Sequence, residues 1–339
     1  MVSADENQRL TRYYIDVRPL VPSDPKIKPN LPLLSSLSAE DQEKINRYMR
    51  SPDRLMSLAS ALLKRLFIHR TVRIPWSEVH VSRTPKPHLR PYWEPPSTWT
   101  KQGGLEFNVS HQAGMVALLG CRTPDSSPPQ HVSPDGVLDP SSTTLSDSCS
   151  QIRLGIDIAC VNEDRRTPSD ITSQAKFDDW VDIFSEMFSD RERSDMKTRP
   201  PVLRSQMRPQ EISETVAQKL RRFYAYWALK EAYIKMVGEG LMADWLKELE
   251  FFNVNAPAAV GIEQWTPSAK VERYMATLFQ GSMLEDVEMA LVSYEEDFLI
   301  ATSTRGIGQE ANDAVAHWTK LDIERDVGPC AAGRCSCLE

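Results

Sequence analysis

Apolar and aromatic residues return at three-, four- and seven-residue steps at Leu220, Phe223, Tyr224, Trp227, Ile234 and Leu241, the signature of a helix with one face turned inward. Its densest part, AYWALKEAYIKMVGEGL over 225–241, consists of good helix formers and is expected to stop at Gly238 and Gly240. A second helix is predicted over about 53–70 from Leu55, Leu58, Leu62 and Leu66, after a break near Pro52 and a shorter helix capped at Ser38. Helical patterning also runs from about Phe177 to Phe188, whereas the polar stretch from Asp190 to about Glu214 reads as a loop over the surface or a cover on a site. Strands are expected over Tyr13–Val17, from Val79, over Glu106–His111, Met115–Cys121 and Arg153–Ile158, and near 247–254, 271–280, 286–293 and 298–303. The order strand, helices, strands thus occurs twice, which predicts an α+β fold of two similar α/β halves meeting at a cleft. Residues 122–151 interrupt it with Ser, Pro, Asp and Thr and read as a flexible linker or insertion.

Composition narrows the possible partners. The 339 residues have room for two domains, and a net charge of −7 argues against a general nucleic-acid binder. No apolar run approaches the roughly 20 residues a membrane helix needs, and the polar start MVSADENQRLTR has no signal-peptide core, so a cytoplasmic address is expected. Three of the six cysteines, Cys330, Cys335 and Cys337, crowd the tail. A closed zinc site wants four ligands and no fourth stands nearby, so the tail is expected to fray, with zinc binding or regulatory oxidation as the alternative reading.

The candidate chemistry begins with Glu231 and Lys235, one turn apart on the stripe begun by Trp227. A Glu to Lys pair at this spacing is ordinarily a surface ion pair worth about half a kcal/mol or less. Here the stripe is apolar, where a carboxylate wants a metal or a cation. Asp157 is a second isolated carboxylate, set inside the apolar strand Arg153-Leu-Gly-Ile-Asp-Ile158. Upstream, Arg47, Arg50 and Arg54 flank a helix start, and the proline-rich loop after Val79 carries Arg83, Lys86 and Arg90; both read either as anion grips or as solvated flanks. Ser110 and His111 end a strand, where a histidine is either a structural hydrogen-bonding group or a ligand contact. Two carboxylates with basic groups suit a hard divalent cation and a pyrophosphate, and hence phosphoryl transfer.

Taken together, Phe107-Asn-Val-Ser-His111, Gly155-Ile-Asp157-Ile and Trp227-Ala-Leu-Lys230-Glu231-Ala-Tyr-Ile-Lys235 resemble the signatures of the 4′-phosphopantetheinyl transferase superfamily. The likeness is to its two-lobed, monomeric Sfp type and, in the closing stretch from Lys320, to the broad-range enzymes of filamentous fungi. It implies transfer of phosphopantetheine from coenzyme A to a carrier-protein serine, with release of adenosine 3′,5′-bisphosphate. By that resemblance Asp157 and Glu231 hold Mg²⁺, with Mn²⁺ as a substitute, and Glu231 takes the serine proton. Lys235 and His111 contact phosphates, Ser110 lies in the coenzyme A site, Arg83 and Arg90 bind coenzyme A, and Arg50 and Arg54 match the 3′-phosphate region loosely. Implied partners are carrier domains of polyketide synthases, nonribosomal peptide synthetases, fatty acid synthase and the aminoadipate reductase of lysine synthesis, in secondary metabolism and siderophore formation. The carrier is expected to dock on the loop from Asp190 to Glu214. The implied organisation is an N-terminal lobe over 1–121, a linker over 122–151, a C-terminal lobe over 152–305 and an extension over 306–339. One departure is that Ala159 stands where many members carry a further carboxylate. Rival readings are another magnesium-dependent phosphotransferase, against which stands the lack of a Gly-rich Walker loop, and a coenzyme-A-binding module that has lost its chemistry.

Overall fold

The structure, a computed structural model, describes residues 10–24, 26–85, 89–97, 99, 103–123, 152–163, 171–198, 211–239, 243–258, 272–274, 276–278, 282–307 and 318–339. The 122–151 insertion, Lys86 and Leu241 lie wholly or largely outside them. In the N-terminal half, β1 (Thr11–Asp16) leads to α1 (Ala39–Asn46), α2 (Ser51–Val72), the hairpin β2 (His80–Arg83) and β3 (Pro91–Glu94), then β4 (Leu105–Gln112) and β5 (Met115–Arg122). The C-terminal half runs from β6 (Arg153–Cys160) through α3 (Gln174–Asp182), α4 (Asp190–Thr198) and α5 (Glu211–Val237) to the short β7 (Glu250–Phe251), β8 (Glu272–Tyr274), β9 (Ala276–Leu278) and β10 (Ser282–Met283). It closes with β11 (Val287–Tyr294) and β12 (Phe298–Arg305).

Both halves use one strand plan. The first strand pairs antiparallel with the last and the last with its predecessor, giving β1-β5-β4 in one sheet and β6-β12-β11 in the other. Each sheet carries a long helix on its outer face. Alternation along the strands explains the layering, because successive side chains point to opposite faces. Ile15, Phe107, Val116 and Leu118 face α2 with Leu55, Leu58, Leu62 and Leu66, all essentially buried. Tyr14, Ala117 and Leu119 face the other way and meet Leu154, Ile156, Ile158 and Ile300 in a third core between the sheets. The molecule is therefore layered helix, sheet, sheet, helix.

Several expectations need correction. The chain does break near Pro52, over 47–50 between α1 and α2, but Pro52 itself sits inside the first turn of α2, where a missing N–H costs nothing. The polar stretch from Asp190, expected as a surface loop, is helical at both ends, since Asp190–Thr198 is α4 and α5 begins at Glu211; residues 199–210 lie outside the described residues. The tail does not fray. A short strand, β13 (Thr319–Lys320), joins β1 in parallel, a π-helical turn follows at Ile323–Val327, and α6 (Gly328–Ala331) packs with Cys330 buried against the N-terminal core. A fourth potential metal ligand is also present: His69, on α2, lies 3.1 Å from Cys335.

Two clasps join the halves. The Arg18 guanidinium forks onto Asp16 and Glu295, with contacts of 2.7–2.8 Å, and these carboxylates push its pKa upward. Arg90 donates to Glu106 and to the carbonyls of Met236 and Leu154, so it covers the last carbonyls of α5 where a cation is favoured.

Candidate active site

The site forms along the seam between β4 and β6. Alternate residues of β4 point across it, and their side chains serve backbone groups at the edge of β6. Glu106 accepts from the Leu154 N–H at 3.3 Å, Asn108 from Ile156 at 3.3 Å and Ser110 from Ile158 at 3.2 Å. The period of two thus fixes Ser110 against the strand that carries Asp157.

On the other side α5 comes close to β6 because residue 155 is glycine. A Cβ there would lie 2.0 Å from the Ala232 carbonyl oxygen and 2.6 Å from the Met236 nitrogen. This approach brings Lys235 within reach of Asp157, and its ammonium donates to Asp157 Oδ1 at 2.6 Å and to Ser110 Oγ at 2.9 Å. The Ser110 hydroxyl in turn donates to Asp157 Oδ1 at 3.0 Å. Both contacts use Oδ1; among the described residues no hydrogen bond reaches Oδ2 of Asp157. Asp157 is 6% exposed, while Glu231, one turn before Lys235, is half-buried. A buried carboxylate with one oxygen uncommitted, on the strand that packs against the helix carrying Glu231, offers an oxygen donor that suits a hard cation such as Mg²⁺. Ala159 adds no oxygen and is packed in the core beside α5.

The other candidates are placed differently. His111 alternates with Ser110, is exposed and stands on the α2 side of β4. Arg54 donates to the Tyr48 carbonyl at 2.7 Å, and Arg50 lies 3.9 Å from Asp53. Arg83 donates to the Leu89 carbonyl at 3.3 Å, and Arg90 makes the clasp described above. Sequence reasoning passed over Lys64, which on a leucine-rich helix reads as a solvated position. Half-buried on α2, it has its ammonium pushed down to about 8 by burial and then by Arg83, with Lys44 and Arg65 also nearby and Asp41 opposing them. Such a group of cations is suited to an anion.

Lys230, quoted within the same helical motif, does not belong to this site. It is fully buried, pairs with Glu192 of α4 at 2.8 Å and donates to the carbonyls of Met187 and Leu246.

Comparison with known proteins gives this geometry its context. Residues 24–123 match the family described as 4′-phosphopantetheinyl transferase, N-terminal, and residues 153–278 match the 4′-phosphopantetheinyl transferase superfamily. The chain is 40% identical to the 4′-phosphopantetheinyl transferase NpgA of Emericella nidulans over 99% of its own length and 98% of that protein's. It is 41% identical to 4′-phosphopantetheinyl transferase A of Aspergillus fumigatus, over 98% of each chain. The chain belongs to the 4′-phosphopantetheinyl transferase family. It is a transferase of the fungal broad-range kind: coenzyme A is its donor substrate, and carrier proteins receive the phosphopantetheinyl group. A more distant relative, 24% identical over 69% of this chain and 70% of its own, is the L-aminoadipate-semialdehyde dehydrogenase-phosphopantetheinyl transferase of Schizosaccharomyces pombe. The α+β architecture of two related lobes is that of a two-lobed transferase of this family. Among the described residues no helix of the transferase is long and apolar enough to cross a membrane.

Proposed function

We propose that Asp157, Glu231 and Lys235 carry the transfer, in a cleft between an N-terminal lobe over 1–121 that contacts coenzyme A and a catalytic lobe over 152–305. Residues 122–151 link the lobes and 306–339 form an extension. The observation that carries this reading is the convergence of Lys235, Asp157 and Ser110 at the seam, with Glu231 one turn away. Asp157 and Glu231 would hold Mg²⁺, with Mn²⁺ as a substitute. When bound, the ion would draw charge from the pyrophosphate oxygens.

Glu231 accepts the proton of the carrier serine as its oxygen forms the new bond to phosphorus and the bond to the adenosine 3′,5′-bisphosphate leaving group breaks. Lys235, held by Asp157 and Ser110 before substrate arrives, presents its ammonium to the phosphates without reorganisation. His111 contacts the phosphates from the other lobe. The cations around Lys64, Arg83 and Arg90 bind the anionic groups of coenzyme A, joined at the start of α2 by Arg50 and Arg54, and Arg90 also supports the site by holding α5.

The carriers are those of polyketide synthases, nonribosomal peptide synthetases, fatty acid synthase and aminoadipate reductase; the last draws support from the name of the fission-yeast relative. The enzyme works as a cytoplasmic monomer. The test is intact-mass spectrometry of an apo carrier protein incubated with enzyme, coenzyme A and Mg²⁺. A gain of one phosphopantetheinyl group, abolished by EDTA and by Glu231→Ala, is expected. An unchanged rate for Glu231→Ala would remove Glu231 from the mechanism.

A further inference from the structure

We infer that the C-terminal tail carries a structural zinc site formed by His69, Cys330, Cys335 and Cys337. The ligand atoms of these four residues all lie within 4.8 Å of one another, although His69 is separated from the nearest of the cysteines by most of the chain.

The local structure explains how the thiols converge. α6 ends in a Schellman turn: Gly333 adopts φ +65°, its N–H donates to Cys330 at 3.1 Å, and the Arg334 N–H donates to Pro329 at 2.8 Å. The reversal returns the chain so that Cys335 and Cys337 face Cys330, whose sulfur lies 3.7 Å from that of Cys337. Zinc–sulfur bonds of about 2.3 Å in a regular tetrahedron place neighbouring sulfurs about 3.8 Å apart, whereas a disulfide would require about 2.05 Å. The three tail cysteines are free thiols spaced for a metal.

The histidine is oriented as a ligand. Nδ1 of His69 lies 2.6 Å from the Ile74 carbonyl, which accepts its proton, and this leaves the lone pair of Nε2 facing Cys335 Sγ at 3.1 Å. A metal-bound imidazole is ordinarily held in this way by a backbone carbonyl on its far nitrogen. His69 and Cys330 are each 1% exposed, and Cys335 and Cys337 pack against the same core. Three soft thiolates and one imidazole select zinc among the common divalent ions, and four protein ligands leave no position for a substrate. The site is therefore structural: it pins the extension to α2 beside β13 and the Arg70 contact to the Asp326 carbonyl at 2.9 Å.

The test uses the full chain, purified under reducing conditions without a histidine tag and dialysed against metal-free buffer. Plasma mass spectrometry should find close to one zinc per chain. Asp157→Asn/Glu231→Gln should keep that zinc, which excludes the active-site carboxylates as its source, whereas Cys335→Ser should lose it. Replacement by cobalt should give thiolate-to-cobalt absorption in the wild type, so the result stands even if Cys335→Ser folds poorly. Zinc removal by a strong chelator should lower Tm and open the tail to trypsin at Arg334. A zinc-free wild type with all three thiols freely alkylated would overturn the proposal. So would a zinc-free wild type in which two of these cysteines are joined as a disulfide.

Discussion

Two lysines five residues apart on α5 each pair with a carboxylate at short range, and they do opposite work. Lys230 and Glu192 are sealed, with both side chains at 0% exposure and the ammonium also bonded to two carbonyls. Lys235 and Asp157 are open, with side chains 29% and 9% exposed and the second oxygen of Asp157 uncommitted. Burial pushes the Glu192 pKa up and the Lys230 pKa down, each opposed by its partner, so the sealed pair costs more to charge inside the protein than in water. A satisfied pair of this kind positions elements, here α4 on α5. A pair at a cleft with spare acceptor capacity is placed to receive a ligand.

Substitutions should separate the pairs. The largest effect is expected on transfer: Asp157→Ala and Glu231→Ala should each reduce it by about a hundredfold or more, measured by carrier mass gain, with little change in Tm. On stability the order reverses. Glu192→Ala should cost about 3–5 kcal/mol by urea unfolding because it strands the Lys230 charge, and Glu192→Leu/Lys230→Met should recover most of that loss. Gly155→Ala tests the geometry that joins the two effects. Its Cβ must push α5 off β6, so stability and transfer should fall together, and a variant with wild-type values of both would break the account of the close approach.

A smaller effect is expected at Lys64. Its pKa in the folded protein, about 8, lies below its ordinary value of 10.5, so unfolding takes up a proton between these values and stability should rise with pH through that window. Coenzyme A affinity, by contrast, should fall as pH passes 8 and the ammonium is lost, with Asp41, Lys44, Arg65 and Arg83 setting the local field. Calorimetric titration of coenzyme A at pH 7 and pH 9 checks this, and Lys64→Met should remove the difference. The smallest effect belongs to Ala159→Glu, which should tighten Mg²⁺ at some cost in stability, because residue 159 is packed in the core.

The elements that carry this comparison were unequally legible in the sequence. The leucines of α2, the apolar strand around Asp157 and the stripe of α5 each announce themselves through local periodicity, and all three form as the spacing predicts. DRERSDMKT of α4 gives no such signal, since nearly every residue is polar and the partner of its one buried carboxylate lies 38 positions further along the chain. The motif marks Lys235, on the stripe of Trp227 and Glu231, and gives Lys230 no role; the tertiary neighbours show Lys230 to be a sealed charge and Lys235 an open one. Arg90 reads as an anion grip or a solvated flank in sequence, and its cap on the last carbonyls of α5 forms only where the two halves meet. His69 and the tail cysteines fall under the same limit, because ligands this far apart in the chain leave no spacing to recognise.

The most direct test of the division between the pairs compares Lys235→Met with Lys230→Met, reading transfer per folded molecule together with Tm. The account predicts that Lys235→Met keeps a Tm near wild type and loses most of its transfer, while Lys230→Met melts well below wild type and, where folded, still modifies the carrier. A Lys235→Met enzyme that transfers at the wild-type rate would contradict it.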